Sequence, residues 1–489
     1  MTLRSTLNRT VGVALLSLLL AACSTSTSVQ VSQPPPQVGA TISKDTLRGT
    51  LKGTLVQGHT YYMDSNVVVA AGDTLLIQPG VTVIVLNTGI SNAAGAPEFQ
   101  VYGTFISAGS KDQPVYLTVA PNLRKYTSLT DVNSGALWGG IQCAAPKNGA
   151  GGSGDLILKW THVEFAGGSA GTNDPIVTGG GARYAIWFQN PSANFIMEDS
   201  WLTGSTDDPL RVSGGKIGIF RNVIECAAPT SGDFNMKSGT VGDIAYNLFV
   251  GVCTNGPKLA NTGGINPECN VNIYNNTIVT CGWRCTKDGR AGSTDIEGGA
   301  RGIEYNNLIV NSRTGFRLVG GSAIADTGNT FYDYQYYYGA ADSVVKGFYP
   351  VDGIQGKGKH DVAGTAGQND PMFVGYSVTQ VPTNLYVSKV PFSSQQPVEN
   401  LMRTMDEKGN QRFNDLSTSF KSDFHLQQNS PCVGKAYTGT VKGATGSALP
   451  VPMAVVPQKS ASNPFGAEGV VGLGKDFGAY QMDGSGNQQ

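Results

Sequence analysis

Four short stretches in the middle of the chain share one shape. They are Ile219-Phe220-Arg221-Asn222-Val223-Ile224, Ile244-Ala245-Tyr246-Asn247-Leu248-Phe249, Ile273-Tyr274-Asn275-Asn276-Thr277-Ile278 and Ile303-Glu304-Tyr305-Asn306-Asn307-Leu308-Ile309. Each is a β-type run, with the period of two that a strand imposes, built around an Asn. Asn329-Thr330-Phe331 reads as a further copy. Leu158-Lys159-Trp160-Thr161-His162-Val163 and Met197-Glu198-Asp199-Ser200-Trp201-Leu202 read as earlier, weaker ones. The steps between Asn222, Asn247, Asn276, Asn307 and Asn329 run from 22 to 31 residues. A period of roughly 20–50 residues marks stacked repeats, each burying its apolar face on its neighbours. An Asn at one place in every unit predicts a ladder of stacked amides.

A second short strand belongs to each unit: Leu210-Arg211-Val212, Phe234-Asn235-Met236, Pro257-Lys258-Leu259 and Phe316-Arg317-Leu318. Its flanking apolar residues point inward and its middle residue outward. The pairs Gly214-Gly215, Gly298-Gly299 and Gly320-Gly321 mark corners, where a positive φ suits glycine. Two or three strands per turn with glycine corners predict an all-β fold, a right-handed parallel β-helix solenoid. Val67 to Val83, Phe99 to Phe105, Pro114 to Thr118 and Trp138 to Ile141 extend it upstream. The solenoid is assigned to residues 46–345. Residues 346–489 are assigned to loop-rich C-terminal coils and a cap, with long loops expected at 376–422 and 436–470.

Composition agrees with this reading. The 489 residues include 65 Gly, 14% charged residues and a net charge of -1. Ordinary globular chains carry ~25% charged residues, and coiled coils and bundles carry little Gly. A nucleic-acid partner is not expected, because such binders show a basic excess. Hydrophobic residues, at 40%, suffice for a core.

The start of the chain reads as an export signal. Arg4 and Arg9 precede an apolar run from Val11 to Leu20, too short to cross a bilayer, which takes ~20 residues. Leu20-Ala21-Ala22-Cys23 follows, and resembles the lipobox of bacterial lipoproteins. That resemblance implies a signal peptide at 1–22, lipidation at Cys23, and a membrane anchor at the bacterial cell envelope. Residues 23–45, with Pro34-Pro35-Pro36, read as a flexible tether. Seven further Cys remain: Cys143, Cys226, Cys253, Cys269, Cys281, Cys285 and Cys432. Export permits disulfides, and loop-stapling bridges are expected among Cys253, Cys269, Cys281 and Cys285.

Near the far end stand Asp370-Pro371-Met372-Phe373-Val374, Asp423-Phe424-His425-Leu426, Ser430-Pro431-Cys432-Val433-Gly434 and Asp476-Phe477-Gly478-Ala479-Tyr480. With the opening coils, they resemble the pectate-lyase-like superfamily of secreted β-helix proteins. The chain departs from that pattern with Phe477 in place of an aliphatic residue and Gln481 in place of an acid. These motifs speak for a fold and leave the reaction open. Ligands in that superfamily tend to lie in a groove along one sheet.

Candidate chemistry therefore falls on the outward residues of the second strand set. Arg211, Asn235, Lys237, Lys258 and Arg317 form a file of polar and cationic groups, with Asp207, Asp208, Asp233, Asp295 and Glu297 beside them. Cations repeating at the ~4.8 Å rung spacing suit an acidic polysaccharide. The primary expectation is a polysaccharide-binding surface lipoprotein, with Arg317, Asn235, Tyr334 and Tyr336 contacting substrate. An alternative is a lyase for uronic-acid glycans. β-Elimination needs a base and a cation that neutralises the carboxylate, the roles assigned to Lys237, Lys258 and Arg211. Asp207, Asp208 and Asp233 are its candidate Ca²⁺ ligands. Asp207-Asp208 and Asp233 superficially offer a hydrolase its two carboxylates, but the glycosidases that this fold resembles carry a His-Gly and an Arg-x-Lys motif after the acids, whereas here no His lies between His162 and His360 and Arg-x-Lys is absent. The cluster Tyr332, Tyr334, Tyr336, Tyr337 and Tyr338 also suits an adhesive role with a protein partner.

Overall fold

Each repeat buries its apolar positions only when the next repeat lies on top of it, and the chain coils accordingly. The computed structural model describes residues 35–489 except 87–94, 124–136, 147–153, 178–182, 206, 228–231, 262–266, 284, 286–291, 351–352 and 380–422. Twenty-seven parallel strands form one continuous hydrogen-bonded system among the described residues. They fall into three columns, so one turn is strand, corner, strand, corner, strand. The fold is an all-β parallel β-helix. Its best-defined turn runs from Leu210 to Ala227: Leu210–Phe220 crosses the first two columns, and Val223–Ala227 joins the third. The next turn uses Asp233–Ala245 and Leu248–Val250 in the same way.

Register is kept residue by residue. In the first column Trp187 faces Arg211, Arg211 faces Asn235, Asn235 faces Lys258, Lys258 faces Asp295 and Asp295 faces Arg317. In the second, Ile219 lies on Ile244 and Ile244 on Ile273. In the third, Ile224 lies on Phe249, then Ile278, then Ile309. The inward residues of all three columns form one core along the axis.

The corner between the second and third columns carries the amide ladder. Asn222 Nδ2 donates to Asn247 Oδ1 at 2.9 Å, Asn247 Nδ2 to Asn276 Oδ1 at 3.0 Å, and Asn276 Nδ2 to Asn307 Oδ1 at 3.0 Å. Each Oδ1 also accepts the backbone N–H of the Asn one turn below, at 2.9 Å. Ser200 and Thr161 continue the file with hydroxyls, Ser200 N–H donating to Asn222 and Thr161 N–H to Ser200. The preceding residue of each corner is left-handed: Arg221, Tyr246, Asn275 and Asn306 have φ between 49° and 59°. That conformation costs ~1–2 kcal/mol in a non-glycine residue, which the ladder bonds offset. Asn329 is not a rung. It is exposed and bonds to Asp326, while the next corner is Tyr334-Gln335.

Several expectations are revised. Residues 38–42, assigned to the tether, are bonded to the first coil: Val38 N–H donates to Thr54 Oγ1 and Ile42 N–H to Thr54 O, both at 2.9 Å. Cys253, Cys269, Cys281 and Cys285 are buried and not bridged to one another, so the expected staples among these four are not formed. Cys23, the lipobox and most of 376–422 lie outside the described residues.

Residues 436–470 are not loops at the end of the solenoid. The chain from Tyr437 turns back and runs along it. Tyr437 N–H donates to Asn306 Oδ1, Pro450 O accepts from Asn272, and Met453 and Ala454 donate to Asp243. After a tight loop at 458–467 the chain returns, with Glu468 N–H on Glu198 and Val471 O on Tyr274 Oη. It then runs down a third time, Ala479 N–H reaching Thr277 Oγ1 and Asn487 Nδ2 reaching Asn222 O and Tyr246 O. Val456 and Ala467 bury the outward residues Leu76, Ile106, Ile157 and Ile196 of the second column. Lys159 is paired with Glu198 at 3.3 Å and with the strap's Glu468 at 2.8 Å.

Asn247→Ala removes the acceptor for two donors of Asn222 and breaks the file. It is expected to lower stability by about 2–4 kcal/mol in urea unfolding, whereas Asn329→Ala changes it by less than about 0.5 kcal/mol.

Candidate functional site

Outward positions of the second column lie under the C-terminal strap, and those of the third that face His162 and Leu308 are also buried. The first column carries two partly exposed cations, Arg211 and Lys237, between stretches whose outward polar residues are buried. At its upstream end the outward Gln100 and Gln142 are buried, Gln142 Nε2 donating to Gly139 O and Tyr184 O at 2.8 Å. At its downstream end the expected file of cations is interleaved with acids. Lys258 Nζ lies 3.0 Å from Glu297, 3.5 Å from Asp233 and 3.7 Å from Asp295, and Arg317 lies 3.2 Å from Asp295. All four of Lys258, Asp295, Arg317 and Asn235 are buried.

These surroundings set the protonation states. Lys258 loses solvation, but three carboxylates hold its amine above the usual lysine range. It is a fixed ammonium, which removes it as the base the lyase reading assigned to it. Burial lifts Asp295 to about 7 even with Lys258 and Arg317 beside it. Asp208 is pushed well above the ordinary carboxylate range by burial, then by Asp233 and Asp207. It accepts from Asp233 N–H and from Asn235 Nδ2, both at 2.9 Å. Asp233 in turn accepts from Asn255 Nδ2 at 2.8 Å. Asp207 accepts from Asp208 N–H at 2.9 Å, so all three Asp assigned to Ca²⁺ are engaged by protein donors. Among the described residues no group of three or more His, Cys, Asp and Glu is arranged to hold a metal ion.

Between the two closed ends lies a pocket of about 440 Å³. Trp187, Pro191 and Pro267 give it apolar walls, and Arg211 and Lys237 give it two cations. Its position follows from the chain. Trp187 is the outward residue of Ile186–Phe188, in register with Arg211. Lys237 projects two residues further toward the corner, with Ser213 before it and Ala260 after it in register. Two small neighbours leave its side chain beside a void. Gly214 and Gly239, at φ 91° and 81°, turn the corner beneath it and add no side chain to fill it.

Arg211 packs its guanidinium 4.5 Å from the Tyr184 ring centre, donates to the Tyr184 hydroxyl, and sits 3.5 Å from Asp208. Its Nε has no hydrogen-bond partner, and neither does the Trp187 indole N–H. Lys237 is half-buried and forms no ion pair or hydrogen bond among the described residues. Burial, then Arg211 and Lys258, pull its amine below the usual lysine range. The pocket therefore presents donors and positive charge against an aromatic wall.

Of the expected contact residues, Arg211 and Lys237 meet at this pocket. Asn235 and Arg317 are spent on Asp208 and Asp295. Tyr336 is buried against Phe477, with ring centres 5.1 Å apart, and reaches no surface. Tyr334 lies at the ladder corner, on a different edge of the solenoid, where His360 and Tyr437 stack on it at 4.5 and 4.8 Å. Trp187 was missed. Its signature was present, because Ile186-Trp187-Phe188 repeats the apolar–outward–apolar triplet of Leu210-Arg211-Val212 just before a Pro-containing corner.

Comparison with known proteins returned nothing similar: no family model, no curated protein and no solved structure matches this chain.

Two measurements separate the two lysines. Lys258→Ala takes the shared ammonium away from Asp233, Asp295 and Glu297 and is expected to cost about 3–5 kcal/mol in denaturant unfolding, while Lys237→Ala costs less than about 1 kcal/mol. The second concerns pH. Folded Asp208 keeps a proton that the unfolded chain releases near pH ~4, so above that pH the folded state binds more protons. Stability then falls as pH rises, until the native carboxyl ionises. Asp208→Asn removes this titration, and its melting temperature is expected to drop less between about pH 5 and pH 8 than that of the parent.

Proposed function

We propose that the chain is a cell-envelope lipoprotein of the pectate-lyase-like kind, anchored through Cys23, whose β-helix binds an acidic polysaccharide at the Trp187–Arg211–Lys237 pocket. The observation that carries this is the pocket's chemistry: two cations, one of them without an ion pair or hydrogen bond among the described residues, beside an indole wall. A sugar ring lays its C–H face on an aromatic ring, and a carboxylate takes charge-assisted hydrogen bonds from Arg and Lys. Concave sites with mostly apolar walls and a few converging polar groups are the usual form of ligand pockets. The export signal and lipobox support an envelope location, where glycans are the abundant polymers.

Lyase action is the second reading, and one observation favours it. Burial, Arg211 and Lys258 hold the Lys237 amine below the usual lysine range, the direction a base needs, and Arg211 stands beside it to neutralise a carboxylate. Calcium has no support from the described carboxylates, so elimination here would rely on Arg211 for that charge.

Affinity electrophoresis through polygalacturonate, alginate and neutral dextran tests the binding. Retardation by an acidic gel, absent in dextran and weakened at least fivefold by Arg211→Ala, is the expected result. Equal mobility in all gels would sink the glycan reading. Ultraviolet absorbance of an unsaturated product from the same polymers decides between binding and lyase action. Absorbance that appears with the parent protein and disappears with Lys237→Ala would establish the enzyme.

A further inference from the structure

We infer that the pocket takes one carboxylated sugar residue, and does not track a polymer along the strand column. This rests on the glycan reading above and deepens it. Three features carry it.

First, the site is short. Trp187, Arg211 and Lys237 lie on three consecutive turns, which span about 10 Å at ~4.8 Å per step. With a volume of about 440 Å³, the cavity falls at the small end of the ~300–1,000 Å³ range of small-ligand sites.

Second, both directions along the column are closed. Upstream, Gln142 is fully buried and bonded to two backbone carbonyls. Downstream, the position occupied by Lys237 passes to Ala260 and then Glu297, and the position occupied by Arg211 passes through Asn235 and Lys258 to buried Asp295. A second carboxylate displaced by one or two turns in that direction would meet Glu297 and Asp295, with the intervening Lys258 already neutralised by three acids. Repulsion there opposes a polyanion lying along the solenoid.

Third, the free valences converge on one unit. Lys237 forms no ion pair or hydrogen bond among the described residues, and Arg211, which lines the same pocket, turns its Nε toward Asp208 at 3.5 Å and donates from a terminal nitrogen to Tyr184. Asp208, 3.5 Å from Arg211, already accepts from Asp233 N–H and Asn235 Nδ2. One carboxylate therefore completes the pair, and its own ring is left to the Trp187 wall. Recognition of this kind suits a chain end, a side branch or a released monosaccharide.

Isothermal titration of the full chain tests it, using galacturonate, glucuronate and mannuronate as monomers and as matching hexamers. The expected result is that at least one monomer binds and that its hexamer binds less than about fivefold more tightly per chain. Lys237→Ala weakens both by tenfold or more, while Lys216→Ala, an exposed lysine past the corner, weakens neither. Circular dichroism and the melting temperature of Lys237→Ala confirm that it is folded. Affinity that climbs steadily with chain length, with monomers inert, would overturn the single-residue pocket and leave the glycan reading standing. Absence of binding to every monomer and every hexamer would overturn both.

Discussion

Every functional feature of this chain depends on parallel stacking in strict register. A parallel strand pairs with the turn above and the turn below, and its side chains alternate in and out. Stacking without slippage therefore turns single positions into columns. The amide file from Asn222 to Asn307 enforces this at one corner, because the Oδ1 atoms of Asn247, Asn276 and Asn307 each accept two hydrogen bonds from the turn beneath. A slip by one residue would break both bonds and would also turn the apolar set outward. Trp187, Arg211 and Lys237 are separated by up to fifty residues of chain, and only this register brings them to one place.

The three outer faces then meet different fates. On the second column the outward residues Leu76, Ile106, Ile157 and Ile196 are apolar, and the C-terminal strap covers them. Gly218 lets Val456 approach closely, since a Cβ there would come within 2.8 Å of its Cγ2. On the first column the outward residues are polar, and most of their charge is consumed internally. Buried ion pairs of this sort recover their desolvation cost only when each member is well matched, and Lys258 with three acids meets that condition. Lys237 does not. An unpaired cation beside a void has no structural account of its own, and that contrast gives the pocket its functional weight.

Much of the fold was legible in the residues. The Asn file and the apolar–outward–apolar triplets are local patterns, and they gave the strands and corners correctly except at Asn329. Asn329 matches the ladder in residue type alone, whereas the corner requires a left-handed residue before the ladder position, which Tyr334-Gln335 supplies. The strap had a readable trace as well. Leu75-Leu76-Ile77, Leu156-Ile157-Leu158 and Phe195-Ile196-Met197 are apolar throughout, and a strand with no polar face is buried on both sides. What covers such a strand is not written in it.

Local pattern alone determined that this chain stacks into an all-β solenoid, because strand period, corner residues and ladder amides act over a few residues each. Tertiary structure decided which outward residues stay available. Arg211, Lys237, Lys258 and Arg317 look equivalent as a list of cations, and their difference arises from the turns above and below. Asp233, Asp295 and Glu297 converge on Lys258, Asp295 also pairs with Arg317, and Ser213 and Ala260 flank Lys237. Charge compensation is a property of neighbours in space, and those neighbours come from turns some twenty to forty residues away.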